Sequence, residues 1–249
     1  IITLSEKELR RFLRIWVQTL VPPAVTTSLY FVIFGSLIGP RIGVMDGFDY
    51  IQFMIPGLIM LAVITAAYSN VVSSFYGVKF QRAIEELLIS PMPNWAILLG
   101  YIVGGVARGV IIGVIVFLVS LIFYPNFEIA NYGLTVLVLF LTSIMFSLMG
   151  FINAVYADSF DAIAVIPTFV LTPLIYLGGV FYSINILPDI WRNISLANPM
   201  LYVVNTFREG MLGSSDVSIP LALGMMAGFI ILFTTICLYL LNKGIGIRQ

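Results

Sequence analysis

No histidine occurs anywhere in the 249 residues, which removes the commonest general base and metal ligand from every mechanism open to the chain. The single cysteine, Cys237, cannot build an internal disulfide framework and, lying in an apolar run, says nothing of redox compartment. Charge is scarce too. Asp, Glu, Lys and Arg make up 10% of the residues, against about 25% in an ordinary globular domain. The 12 basic and 12 acidic side chains cancel, so no basic surface points to nucleic acid, and the cations matter by their placement. There is no G-x-x-x-x-G-K-[ST] phosphate cradle and no polar stretch long enough for a nucleotide domain, so any ATP chemistry is expected from a partner. The sequence opens on Ile1-Ile2, is expected to lack a few starting residues, and shows no short cleavable signal peptide.

What the chain has in abundance is apolar sequence, 60% of all residues. A helix needs about 20 apolar residues to cross roughly 30 Å of hydrocarbon. Six stretches qualify, at about 15–37, 52–74, 94–123, 132–156, 162–182 and 217–241. Backbone polar groups cannot stay unpaired in lipid, so runs of this length are helices, and the expected class is all-α, one membrane domain over 1–249. An even number of spans puts both termini on one side. Lys7, Arg10, Arg11, Arg14, Lys79, Arg82, Lys243 and Arg248 fall on that side, against Arg41, Arg192 and Arg208 on the other. The positive-inside bias therefore predicts cytoplasmic termini.

Two segments read as amphipathic helices. SEKELRRFLR, residues 5–14, sets Leu9, Phe12 and Leu13 against Glu6, Arg10 and Arg14, with Ser5 and Glu8 at capping-box spacing. It reads either as an interfacial helix or as a solvated basic flank that sets topology. In KFQRAIEELLIS, Phe80, Ile84, Leu87 and Leu88 share one face, while Lys79, Arg82 and Glu86 face away. Pro91 and Pro93 end that helix, and Asn94 is placed to cap the third span. A stiff helix in a loop that could be shorter implies a docking element; the other reading is a helix resting on the membrane surface.

The sequence "KFQRAIEELLISPMP", the first-span start "RIWVQTLVPP", the second-span segment "YIQFMIPGLIM" and "PTFVLTPLIYLGGVFYSINILPDIWRNISLANPMLYVVNTFREGML" resemble the permease subunits of ABC-2 type exporters, most closely the YadH-like subfamily. The last stretch is the most specific, and together they cover most of the chain. The resemblance implies a half-unit that works as a homodimer, with two separate ATPase subunits that bind ATP and Mg. It also implies that Lys79, Phe80, Arg82, Ile84, Glu85, Glu86, Leu87, Leu88, Pro91 and Pro93, with Arg10 and Arg14, contact the ATPase as a coupling surface.

Within the spans, Arg108 is the one expected charge. A cation there costs above ~2.5 kcal/mol unless it meets a partner, water or the interface. It faces either a pathway that meets an anionic head group, or the cytosolic side, Glu85, Glu86 or a helix-end carbonyl. Gly105, Gly109 and Gly113, with Gly100 and Gly104 ahead of them, and again Gly224 and Gly228, have the spacing that lets helices approach closely, within the subunit or else at a dimer seam. Pro167 and Pro173 predict a kinked fifth span, with Thr168 and Thr172 hydroxyls covering freed carbonyls. Two short helices are predicted near Pro188 and Pro199, and Tyr182, Trp191 and Tyr202 would let them dip into the outer leaflet. Arg108, Pro167, Thr172, Pro173 and Tyr182 are the pathway candidates.

A secondary carrier would place a carboxylate or histidine within the spans, and an enzyme would need a nucleophile or metal cluster. Asp158 and Asp161 fall in a short turn, placed to meet an Arg or cap span five. The expectation is thus a permease of the bacterial inner membrane, in contact with lipid. Its cargo would be lipid-like, glycan or drug-like, with no aromatic row assignable to a sugar track. A carrier or channel without an ATPase is the alternative.

Overall fold

The computed structural model describes residues 2–81, 83–84 and 92–246. Helix α1, Ile2–Arg14, turns at Ile15 into α2, Trp16–Tyr30. The Thr19 hydroxyl donates back to the Phe12 carbonyl at 3.0 Å and pins that corner. From α2 the chain passes through a π-helical stretch, Phe31–Ile38, into α3, Gly39–Ile42. A two-stranded hairpin follows, β1 Val44–Met45 and β2 Phe48–Asp49. Its Asp46-Gly47 turn holds both residues at positive φ, 49° and 86°, as tight hairpin turns demand.

Among the described residues four long helices make the body: α4 Tyr50–Phe80, α5 Asn94–Phe123, α6 Tyr132–Tyr156 and, after an excursion of shorter elements, the last helix. That excursion contains α7 Phe160–Ile166, a π turn at Pro167–Leu171, α8 Thr172–Tyr176, a 3-10 turn at Ile184–Ile186, α9 Asp189–Leu196 and α10 Pro199–Leu212. The last helix is α11, Ile219–Lys243. Helix α4 is apolar on all sides and lies at the centre, packed on α5 and α6; α1 and α2 lie on α5, while α10 and α11 lie on α6.

Among the described residues, five helices are long and apolar enough to cross a membrane: Trp16–Ile42, α4, α5, α6 and α11. The expected fifth span is shorter than read from the sequence. It runs Phe160–Tyr176, and the backbone then turns through Gly179 at φ 78°. The second span is longer, with 31 residues reaching Phe80 rather than stopping at 74; at about 1.5 Å per residue it is ~46 Å long and outruns the hydrocarbon layer.

Glycines explain how α5 packs. Lipid gives no hydrophobic drive between helices, so close approach and dispersion hold them. A Cβ on Gly109 would fall 2.8 Å from the Ser143 hydroxyl of α6, and one on Gly104 would fall 2.7 Å from Cβ of Glu8 in α1. The expected packing role thus holds for α5. At Gly224 and Gly228 no atom lies within 4 Å of such a Cβ, so the second pair packs against nothing among the described residues.

Candidate functional site

At the end that carries both termini, α1 does not lie with Leu9, Phe12 and Leu13 inward. Its buried stripe is Leu4, Glu8 and Phe12, and Leu13 is exposed. Ser5 lies inside the helix instead of capping it. The Glu8 carboxylate is buried, accepting from the Ser74 hydroxyl at 2.6 Å and from Arg11 Nε at 3.3 Å. Arg11 also donates to the Asn70 carbonyl and side-chain oxygen, each at 2.9 Å. A buried carboxylate persists only when paired and hydrogen-bonded in this way. Arg10 is exposed and pairs with Glu6, a contact worth ~1 kcal/mol or less; Arg14 is exposed too.

Lys79 does not face away. Its Nζ donates to the Val155 and Ala157 carbonyls at 2.7 and 2.8 Å, covering the orphan acceptors at the end of α6. Phe80 is exposed beside Tyr76 and Phe160, and Ile84 is buried. Pro93, not Asn94, occupies the position before α5; the Asn94 amide reaches Asn242 of α11 at 2.7 Å. Ser159, not Asp158 or Asp161, caps α7, accepting from the Ala162 N–H at 3.1 Å. Arg82, Glu85, Glu86, Leu87, Leu88 and Pro91 lie outside the described residues, as does any pairing of Arg108 with Glu85 or Glu86.

Between α2, α4, α5 and α8 lies a cavity of about 330 Å³. Two predicted pathway residues, Arg108 and Thr172, meet on its wall with Pro22, Pro23, Tyr30, Thr65 and Tyr176; Pro167, Pro173 and Tyr182 are not part of it. Prolines shape this site by freeing carbonyls. Pro23 has no N–H for the Thr19 carbonyl four residues before it, and Arg108 Nη2 donates to that oxygen at 3.4 Å. Pro167 likewise frees the Ile163 carbonyl, which receives Asn153 Nδ2 at 3.1 Å. The Thr172 hydroxyl donates to the Pro167 carbonyl at 2.8 Å, an oxygen that already accepts the Thr172 N–H, so the carbonyl it covers is not one freed by a proline as expected. At the far end of the cavity the Tyr30 and Tyr176 hydroxyls meet at 3.0 Å. Phe34 and Phe181 join them, with Phe34 and Phe181 ring centroids 5.0 Å apart. This aromatic group was not visible in sequence, because Tyr30 and Tyr176 come from segments 146 residues apart.

Beyond it, α9 and α10 begin where Pro188 and Pro199 placed them. Tyr182 is half-buried there, and burial raises its phenol above the ordinary value. Arg208 of α10, read as an outer-loop cation, is instead only 2% exposed. It lies 3.9 Å over the Phe53 ring and donates to the Gly179 carbonyl and to Asn205 Oδ1. The Asn205-x-x-Arg208 spacing was the available signal, since it puts amide and guanidinium on one helical face.

Long apolar helices around a cavity, with a basic end that carries α1, define a polytopic membrane protein. The model of the ABC-2 type transporter family matches residues 1–212, and the chain belongs to that family. It is 54% identical over 243 residues to the inner membrane transport permease YadH of Escherichia coli (strain K12), covering 98% of this chain and 94% of the relative. Nodulation protein J of Rhizobium leguminosarum bv. viciae is 24% identical over 205 residues, 82% of this chain and 78% of the relative.

Proposed function

We propose that the chain is the permease subunit of an ATP-driven exporter in the bacterial inner membrane, working as a homodimer on two separate ATPase subunits that bind ATP and Mg. The observation that carries this reading is family membership over residues 1–212 in a chain that carries no phosphate cradle of its own. The 54% likeness to a protein named an inner membrane transport permease supports the location. In this reading Phe160–Tyr176, with its π turn, is the fifth of six spans, the termini are cytoplasmic, and α9 and α10 dip into the outer leaflet. Residues 79–93 take the push of the ATPase at the end of α4, and the Arg108 cavity belongs to the pathway. The cargo is lipid-like, glycan or drug-like.

The test is purification of the tagged chain from bacterial membranes in mild detergent. An ATPase subunit is expected to accompany it in equal amount, and Glu85→Ala with Glu86→Ala is expected to cut ATP turnover. A chain that comes out alone, and moves solute in ATP-depleted vesicles, would be a carrier or channel instead.

A further inference from the structure

Arg108 is poorly matched by its own protein. A guanidinium has five N–H donors; here one of them makes a single 3.4 Å bond to the Thr19 carbonyl, and Nε is buried with no partner among the described residues. Arg10–Glu6 and Arg11–Glu8 are the ion pairs among those residues, so no described carboxylate neutralises Arg108. If its task were only to cover the carbonyl freed by Pro23, an uncharged amide would do it without burying a charge, as Asn153 does at Ile163. The planar fork is instead suited to an oxyanion with two oxygens. The same wall carries two hydroxyls, Thr65 and Thr172, and the apolar side chains of Leu58, Leu61 and Ala62.

We propose that this cavity binds an amphiphile whose phosphate or carboxylate head is held by Arg108 and whose apolar chain lies along Leu58, Leu61 and Ala62 toward Tyr30 and Tyr176. The inference rests on reading the cavity as part of the transport pathway, and it narrows the cargo to anionic amphiphiles. Neutral glycans and cationic drugs lack the group that Arg108 needs. Head and chain act together, because the anion satisfies the guanidinium and each buried methylene adds apolar burial.

The full chain in neutral maltoside micelles is titrated with dodecyl phosphate, dodecyltrimethylammonium or inorganic phosphate, reading the unfolding midpoint. Dodecyl phosphate is expected to raise the midpoint of the wild type. Arg108→Gln is expected to need at least about tenfold more of it, since hydrogen bonds to a charged group are lost, and Arg108→Lys falls between. The cationic amphiphile should have no such effect, and inorganic phosphate should act only at far higher concentration. Equal response of Arg108→Gln and wild type, or of the two amphiphiles, overturns the proposal; equal potency of inorganic phosphate replaces the amphiphile with a free anion and also overturns it. Should Arg108→Gln not fold, alkylation of Thr65→Cys reports the same site in the Arg108 background, where dodecyl phosphate must slow the reaction and dodecyltrimethylammonium must not. Neither assay contains an ATPase, so failure here is separate from failure of the exporter reading.

Discussion

Residue by residue, several of the few charges are buried against hydrogen-bond partners, Glu8 on Ser74 and Arg208 on Gly179 among them. Arg208 is the clearest case: burial lowers its guanidinium to about 10, against the opposing pull of Asp216 and Asp46, and it stays protonated at neutral pH. Asp216, in the turn before α11, is the counterpart. Burial raises its carboxyl above 3.8, while Arg208, the Ile184 N–H and the Ser183 hydroxyl pull it down and Asp46 pushes it up. Asn185 also donates to it, at 2.8 Å. A folded value above the unfolded one favours the native state fully below about pH 3.8, and that contribution is lost as pH rises through the folded value. Asp216→Asn cannot titrate. The difference in unfolding midpoint, wild type minus Asp216→Asn, is therefore expected to fall as pH rises from about 4 toward 7; a rising difference would mean that Arg208, not burial, governs the carboxylate.

At the scale of helices, close approach decides position. Gly104→Leu puts a side chain where Glu8 sits, and overpacking of this kind costs ~1–3 kcal/mol. Because α1 is the lighter body, it should leave α5 before the bundle opens. Trypsin is then expected to cut at Arg10, Arg11 and Arg14 several-fold faster than in wild type, while Gly224→Leu, which meets nothing, leaves the rate unchanged. Equal rates in all three would mean that α1 is held elsewhere. Sequence reading reached part of this. The bounds of α5 and α6 were legible because uninterrupted apolar runs and local breakers set them: Pro93 before one, Asn131 capping the other by accepting from the Leu134 N–H. The burial of Glu8 was not, since a carboxylate goes inside only if Ser74 and Arg11 supply donors, and Ser74 is 66 residues away. Arg108 was legible as a cation within a span, but its bond to Thr19 follows from Pro23 only once α2 and α5 are known to be neighbours.

Across the whole molecule, α4 connects the two ends. Its first residue, Tyr50, donates to the Phe181 carbonyl at 3.1 Å, its Phe53 carries Arg208, its middle lines the cavity through Leu58 to Ser69, and its last turn holds Lys79 on the carbonyls of α6. A helix buried along most of its length moves as a unit, so a push on the chain after Phe80 reaches the cavity only if α4 and α6 move together. Lys79 is the polar tie between them at that end. Lys79→Met keeps the aliphatic stem and removes the tie. In the proposed complex with an ATPase subunit, alkylation of Thr65→Cys is expected to change rate between the nucleotide-free and vanadate-trapped states when Lys79 is present. With Lys79→Met that change should shrink several-fold while ATP turnover continues, and Lys79→Arg should restore most of it by donating to the same two carbonyls. If Lys79→Met retains the full change, motion reaches the cavity through α5 or α2, and α4 is a fixed post around which the other helices move.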